Sequence, residues 1–265
     1  MSRALNRAQG AQGTPGPGRR RSLIAVQVAG ELLITLGVIA VLFLAWQLWW
    51  TNVEADATQG AVVQQFVQQH PAPVPTGLWA TAPVEPEATP AGTVPVADAP
   101  GHGQAIGVLY APRFGTNYSR PVIEGTSPDI IDTLGLGRYA GTAMPGALGN
   151  FALAGHRQTH GAVLDNIHAL VPGDKIYVQT ADGFYTYVFR NHEIVLPDRT
   201  DVLLPVPAAP GAAPGQRLLT LTSCNPRFGS EERIIAYSVF DSWRPLSAGP
   251  PAPIAKQLTE LQRKD

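Results

Sequence analysis

The sequence predicts a mainly β protein, a closed barrel or a sandwich, preceded by one transmembrane helix and a proline-rich linker. Three observations support this fold class. An apolar stretch covers residues 23–50, eight prolines fall within residues 71–100, and short β-rich runs alternate with turn signals from about residue 104 to residue 245. The chain has 265 residues and is 45% apolar, so enough of it remains to build a core once tails and linkers are set aside.

Composition excludes several classes of function. The formal net charge is −1, and binding of nucleic acid as the main partner would need a clustered excess of basic residues. The chain has a single cysteine, Cys224. It therefore cannot form an intramolecular disulfide, and it cannot build a structural zinc site from several cysteines.

The first fifty residues have the pattern of a membrane anchor. The segment 23–50 is long enough to cross about 30 Å of hydrocarbon as a helix. Three tryptophans lie near its far end, where indole rings favour the membrane–water interface, and no acidic residue precedes Glu31. Five arginines lie in residues 1–22: Arg3, Arg7, Arg19, Arg20 and Arg21. Since basic flanks stay in the cytoplasm, we expect a single-pass protein of the cell membrane whose remaining residues lie outside the cell.

A cleaved signal peptide is the competing interpretation, because Ala55-Asp56-Ala57 resembles a cleavage site. The apolar segment is, however, well beyond the 7–15 residues of a signal-peptide core. We therefore expect the segment to be retained as an anchor.

The middle of the chain has the composition of a spacer. Residues 53–70 could form a short helix with one apolar side. Residues 71–100, with eight prolines and only three charged side chains, cannot bury a core. A loose helix is possible at the C-terminus. We divide the chain into a cytoplasmic basic tail (1–22), a transmembrane anchor (23–50), a juxtamembrane segment and proline-rich linker (51–103), a β domain (104–245) and a C-terminal tail (246–265).

The β domain is indicated by six short runs of β-forming residues: 106–110, 150–154, 175–179, 184–193, 218–223 and 233–240. Asp182-Gly183 lies between two of them and is a strong signal for a two-residue hairpin turn. The best helical candidate in this region is the short segment 163–170, which Pro172-Gly173 ends. Many short, closely spaced strands are typical of a barrel or a sandwich.

Three separated residues carry the candidate chemistry. Cys224 ends an alternating strand and precedes Asn225-Pro226, which favours an exposed sulfur. His156 follows another apolar strand, and Arg233 opens the strand after Cys224, so a hairpin return can bring it beside the cysteine. A lone cysteine is more often a buried and inert residue, so it is the combination with an imidazole and a guanidinium that favours a catalytic role.

The motifs around these residues resemble the sortases, which are cysteine transpeptidases of Gram-positive cell surfaces, and most closely those of class E from actinobacteria. The segment 220–224 is similar to the family's TLxTC strand, with Ser223 where threonine is usual. Arg233 and His156 lie at the family's spacings from Cys224. The remaining similarities are Gly141-Thr142-Ala143-Met144-Pro145-Gly146, Gly149-Asn150-Phe151, Ala154-Gly155-His156-Arg157, Cys224-Asn225-Pro226 and the anchor segment 30–37. One departure is Gly137-Arg138-Tyr139, where Gly-His-Tyr is usual.

The resemblance implies a closed sortase-type barrel of about eight strands with short helices, and an activity. Cys224 would be the nucleophile, His156 the general acid, and Arg233 the donor that stabilises the oxyanion. The implied substrates are surface proteins with a C-terminal LPxTG or LAxTG sorting signal, cut between Thr and Gly, and the implied acceptor is an amine of a peptidoglycan precursor. Thiolate chemistry supported by an imidazole agrees with these assignments, since only the thiolate attacks an amide.

No cofactor or metal is expected. His156 and His160 are four residues apart, but the intervening residues lack the glutamate of a zinc-protease motif. Two alternatives to a sortase remain. An L,D-transpeptidase-like cell-wall enzyme would need a histidine just before the cysteine, and a non-catalytic, membrane-tethered β-barrel binding module would leave Cys224 buried.

Overall fold

The computed structural model describes residues 17–73 and 94–263. Residues 1–16 of the expected cytoplasmic tail and residues 74–93 of the expected linker lie outside the described residues. The chain forms two compact units, Met1–Trp49 and Trp50–Asp265.

Helix α1 covers Pro17–Gln69 and includes the expected anchor. Its apolar side chains between Ile24 and Val53 are largely exposed. None of its most apolar stretch is buried, and it is the one helix in the described part of the chain that is long and apolar enough to cross a membrane. An apolar helix without protein cover is what a lipid environment would accommodate.

The second unit contains a closed barrel of eight strands. Their order around the barrel is β1-β2-β3-β4-β7-β8-β6-β5. The strands are β1 (Ala105–Tyr110), β2 (Ser119–Glu124), β3 (Leu136–Arg138), β4 (Gly149–Ala154), β5 (Lys175–Gln179), β6 (Gly183–Val195), β7 (Arg217–Asn225) and β8 (Glu232–Pro245). Neighbours are antiparallel except for the parallel pairs β2–β3 and β4–β7. The expected closed, mainly β barrel is confirmed.

The six sequence runs correspond to β1, β4, β5, β6, β7 and β8, and the hairpin at Asp182-Gly183 joins β5 to β6. Two strands were not predicted. β2 contains Pro121, which interrupts the ladder pattern, and β3 has only three residues, one of them glycine. The segment 163–170 forms a 3₁₀ turn at Asp165–Ala169 where a helix was the best candidate.

The barrel has apolar residues on both faces of some strands. Leu109 of β1 faces the interior core, whereas its neighbours Val108 and Tyr110 belong to a second cluster outside the barrel. The end of α1 and a C-terminal helix, α3 (Ala252–Arg263), cover this outer cluster. The residues that these helices contribute include Val63, Phe66, Val67, Ile254 and Leu258.

The packed unit therefore extends beyond the expected domain boundaries at 104 and 245. Two further residues of the expected linker, Val94 and Ala97, lie in the interior core cluster. The Pro95 carbonyl accepts a hydrogen bond of 3.0 Å from the Tyr185 hydroxyl, and the Ala97 N–H donates to the Pro145 carbonyl. The end of α1 is ordered because it covers the outer apolar face of the barrel, and Val94 and Ala97 are ordered because they pack into its interior core.

Candidate active site

Cys224 and Arg233 form a directly opposed pair on neighbouring strands. β7 and β8 are antiparallel, and their register pairs Cys224 with Arg233. Opposed residues project from the same face of a sheet. Both residues are partly exposed, and the Arg233 Nη1 donates to the carbonyls of Ser230 and Glu232, each at 2.8 Å. The guanidinium is thus tied to the loop that follows Cys224.

His156 lies at the same end of the barrel. β4 and β7 are parallel, with Ala154 paired with Thr222. Two residues further along each chain come His156 and Cys224. The strand ends stay together, because the Gly155 N–H donates to the Thr222 carbonyl at 3.2 Å and the Ser223 hydroxyl donates to the Gly155 carbonyl at 2.7 Å. Serine in place of the usual threonine keeps this hydroxyl contact.

Gly155 fits a position with no room for a side chain. A Cβ there would lie 2.6 Å from the Val163 Cγ2 and 2.8 Å from the Leu136 Cδ2. Both neighbours are fully buried. The glycine therefore lets the chain carrying His156 pass close to the core.

Asp132 is a partner of His156 that sequence reasoning missed. The His156 Nε2 lies 2.6 Å from the Asp132 Oδ1, a hydrogen bond in which the imidazole N–H donates to the carboxylate. The side chains are 24% and 36% exposed, so the pair is neither buried nor freely solvated. Asp132 lies between the short helix α2 (Pro128–Ile131) and β3, which is antiparallel to β4. This topology brings Asp132 to the end of the barrel where His156 lies.

Arg157 forms hydrogen bonds at the backbone of the candidate nucleophile. Its Nη1 donates to the Cys224 carbonyl at 3.2 Å and to the Asn225 Oδ1 at 2.5 Å. The residue is only 6% exposed, and desolvation by burial lowers the pKa of its guanidinium. The Asn225 amide in turn donates to Glu232 at 2.7 Å. A positive charge is therefore held next to the backbone of the cysteine.

Arg138, which stands where the family usually has histidine, is a buried residue. It is 5% exposed and makes two hydrogen bonds to the Glu124 carboxylate, at 2.6 and 2.8 Å. A third bond goes to the Thr142 carbonyl. Arg138 thus joins β2 to β3 as a buried, bidentate ion pair.

The three residues selected from sequence are brought to one end of the barrel. Asp132 and Arg157 join them, and His160 packs its ring against that of His156 at 4.8 Å between centroids. In the described part of the chain, Asp132, His156 and His160 form the one group whose side chains could together hold a metal ion. Asp132 had no sequence signal, since it lies outside the strand-end motifs. Arg157 stood within a motif without an assigned role.

Fold and site together define a class of protein. A closed barrel with a cysteine, an imidazole and a guanidinium at one set of strand ends has the groups of a cysteine-dependent acyl-transfer enzyme. The thiol supplies a nucleophile, the imidazole can carry a proton, and the guanidinium can donate to a developing oxyanion.

Comparison with known proteins agrees with this class. The family model "Sortase domain" matches residues 109–240. The chain is 34% identical to Sortase SrtE1 of Streptomyces coelicolor. The matched region covers 95% of this chain and 66% of SrtE1. It is 32% identical to Sortase SrtE2 of the same organism, over 85% of this chain and 87% of SrtE2. The chain thus spans slightly less than two thirds of SrtE1.

Solved structures give the same result. The SrtA sortase from Actinomyces oris superposes with a TM-score of 0.58 at 39% identity, covering 60% of this chain and 92% of that one. The crystal structure of Sortase E1 from Streptomyces coelicolor, which has a tripeptide in its active site, superposes with a TM-score of 0.53 at 38% identity, covering 59% of this chain and 99% of that one.

The chain belongs to the sortase family, and the resemblance to the class E sortases is confirmed. This membership removes the alternative of an L,D-transpeptidase-like enzyme.

Proposed function

We propose that this protein is a membrane-anchored cysteine transpeptidase. It cleaves a C-terminal sorting signal of the LPxTG or LAxTG type between Thr and Gly, and it transfers the new Thr carboxyl end to an amine of a peptidoglycan precursor. The main support for the proposal is that Cys224, His156 and Arg233 lie at the same end of the barrel. The tripeptide in the active site of the SrtE1 structure supports a peptide substrate.

The chemistry begins at the sulfur. The Cys224 thiolate attacks the Thr carbonyl carbon and forms a C–S bond, while the carbonyl oxygen becomes an oxyanion. The guanidinium of Arg233 donates hydrogen bonds to that oxygen, and it cannot act as a base because it keeps its protons at any useful pH. Arg157 adds a second positive charge beside the backbone of Cys224.

His156 handles the proton. The imidazolium gives its proton to the Gly nitrogen as the C–N bond breaks, which leaves a thioester on Cys224. The acceptor amine then attacks the thioester carbon, the C–S bond breaks, and the imidazole takes the proton from the amine. Asp132 holds the ring in place through its hydrogen bond with Nε2.

The membrane placement completes the proposal. We place the N-terminal tail in the cytoplasm and the barrel outside the cell, where sorting signals and precursor amines meet. The basic residues before the anchor support this orientation. The partners are therefore surface proteins with the sorting signal, the precursor amine and the membrane itself.

The test is transpeptidation by the full chain in detergent. The protein is incubated with LPxTG and LAxTG peptides and an amine, and products are followed by mass spectrometry. Cys224→Ala should abolish the thioester, because there is no other thiol. His156→Ala should cripple both half-reactions. Arg233→Lys should lose on the order of 10²–10³ in rate, since an ammonium cannot reproduce a planar fork of donors.

Two matched controls separate these roles from general effects on the fold. Arg227→Lys changes an exposed arginine that pairs with Asp165 in the neighbouring loop, and His168→Ala changes an exposed histidine. Both should keep near-normal rates. Cleavage by a folded Cys224→Ala protein would refute the proposal. Absence of a thioester on the unmodified protein with any such peptide would favour the binding-module alternative.

A further inference from the structure

Asp132, His156 and His160 together form a cluster of three ligand-bearing side chains at the end of the barrel that also carries Cys224. One ligand atom from each residue lies within 4.8 Å of the other two. The closest pair is the His156 Nε2 and the Asp132 Oδ1, at 2.6 Å. All three residues are partly exposed, so solvent and ions can reach them.

The position of His160 is fixed by helix α1. The residue has a left-handed backbone, with φ 54°, which few side chains adopt without support. Its carbonyl accepts a hydrogen bond of 3.2 Å from the Gln59 side chain, and the next N–H, of Gly161, donates to the Asn52 Oδ1 at 2.9 Å. The helix thus holds this turn so that the His160 ring lies against that of His156.

A cleft of about 260 Å³ opens on two members of the cluster, Asp132 and His160. Asp132 and His160 line it together with Glu54, Thr58 and Thr133. The cleft has room for water molecules beside Asp132 and His160. A metal ion held by the three side chains would therefore have a free position that water could fill.

We propose that Asp132, His156 and His160 form an inhibitory site for a divalent transition metal, with Zn²⁺ as the preferred ion. Two imidazole nitrogens and one carboxylate oxygen are a ligand set that suits zinc, whereas Ca²⁺ and Mg²⁺ prefer oxygen alone. At zinc bond lengths, tetrahedral ligand atoms lie about 3.3 Å apart. The Asp132–His156 pair would open by about 0.7 Å when the metal replaces the proton between them.

The consequence rests on the proposed function. Metal bound at the Nε2 of His156 occupies the lone pair that would otherwise hold a proton. The ring then cannot form the imidazolium that accompanies the thiolate and supplies the leaving amine. Zinc is thus an inhibitor here and not a cofactor.

Binding is tested separately from activity, with Co²⁺ as a spectroscopic probe and Zn²⁺ as its competitor. The full chain in detergent is titrated with Co²⁺, and visible absorption reports a tetrahedral site. We expect binding without a sulfur-to-cobalt charge-transfer band, and binding that persists in Cys224→Ala. Asp132→Asn and His160→Ala should each weaken it at least about tenfold. His160→Gly, which suits the left-handed backbone, guards against misfolding of the alanine variant. His168→Ala should change nothing.

Zinc sensitivity of peptide cleavage provides the second readout. His160→Ala should raise the zinc concentration that halves the rate by at least about tenfold. A charge-transfer band that disappears in Cys224→Ala would overturn the inference by placing the metal on the thiol, as would undiminished binding in both His160 variants or no Co²⁺ binding. Metal binding as expected in a protein that cleaves no peptide would instead refute the proposed function and leave the site standing.

Discussion

Arg157 shows how one buried charge can organise the end of a strand. Removing a guanidinium from water is costly unless its donors find acceptors. Here the acceptors are the Cys224 carbonyl and the Asn225 side chain. The arginine follows His156 directly in the chain, so the same short segment that presents the imidazole also fixes the backbone of the cysteine.

Replacing this arginine should therefore affect both stability and the thiol. Arg157→Met keeps the length of the stem but leaves the two acceptors without their donor, which should cost about 1.5–3 kcal/mol of unfolding free energy. Loss of the positive charge should also slow alkylation of Cys224 by iodoacetamide at neutral pH. Chemical denaturation and alkylation kinetics measure the two effects.

The control for Arg157→Met is Arg227→Met, in an arginine that is half exposed and pairs with Asp165. Exposed ion pairs contribute less than about 1 kcal/mol. If both variants lose the same stability and alkylate equally fast, the role assigned to Arg157 is wrong.

At the scale of single residues, the sequence predicted the candidate site residues that lie at the ends of regular strands. Cys224, His156 and Arg233 follow from strand runs, and parallel or antiparallel pairing aligns them once the topology is known. Asp132 could not be found in this way. It follows a helix of four residues and precedes a strand of three, so periodicity has too few residues to work on. Its partner depends on tertiary folding alone.

At the scale of elements, the end of α1 behaves as part of the barrel domain. Phe66 is 6% exposed, belongs to the outer apolar cluster and stacks on His70 at 4.4 Å between ring centroids. Phe66→Ala should lower the unfolding free energy of the barrel by about 3–5 kcal/mol, because a large buried ring leaves a cavity. If this part of the helix were only a spacer, the change would leave the unfolding free energy of the barrel almost unchanged.

Gln65→Ala is the matched control, since Gln65 is an exposed neighbour on the same helix. Chemical denaturation followed by tryptophan fluorescence compares the two variants. Equal unfolding free energies for the two variants would instead support a domain that starts at residue 104, as composition suggests.

An ion pair between two other elements gives a pH-dependent prediction. Arg113, in the 3₁₀ turn after β1, donates two hydrogen bonds of 2.7 Å to Asp174, just before β5. The hydrogen bond from Arg113 lowers the pKa of the Asp174 carboxyl. The pair therefore stabilises the fold above the unfolded pKa of an aspartate, near 4, and this contribution is lost as pH falls through the folded pKa.

Asp174→Asn should thus lower the melting temperature at pH 7, and the difference from the unmodified protein should shrink below about pH 4. Thermal scans over a pH series measure this. Asp198→Asn, in an exposed loop, should track the unmodified protein throughout. A difference for Asp174→Asn that stays constant into the acid range would show that packing, and not charge, explains the contact.

At the scale of the whole molecule, composition predicted the barrel and an apolar N-terminal helix, but it did not predict that residues of the expected linker pack against the barrel. Proline-rich sequence is a reliable sign of a segment with no core of its own. It does not exclude docking on another surface, as Val94 and Ala97 show by their burial in the barrel core. The outer apolar face, on which α1 and α3 pack, could not be predicted from the single strands. The strands there carry apolar residues on both faces, so apolar and polar residues do not alternate along them.

The proposed orientation in the membrane can be tested with the chain's own cysteine. If the barrel lies outside the cell, a membrane-impermeant maleimide should label Cys224 on intact cells that express the full chain. Cys224→Ala should remove that label. In the Cys224→Ala background, Ser2→Cys should be labelled only after permeabilisation, because the proposed orientation places the basic tail that contains it in the cytoplasm. The reverse pattern would refute the orientation. A Ser2→Cys protein that is never labelled, even in lysed cells, would point to a cleaved signal peptide in place of an anchor.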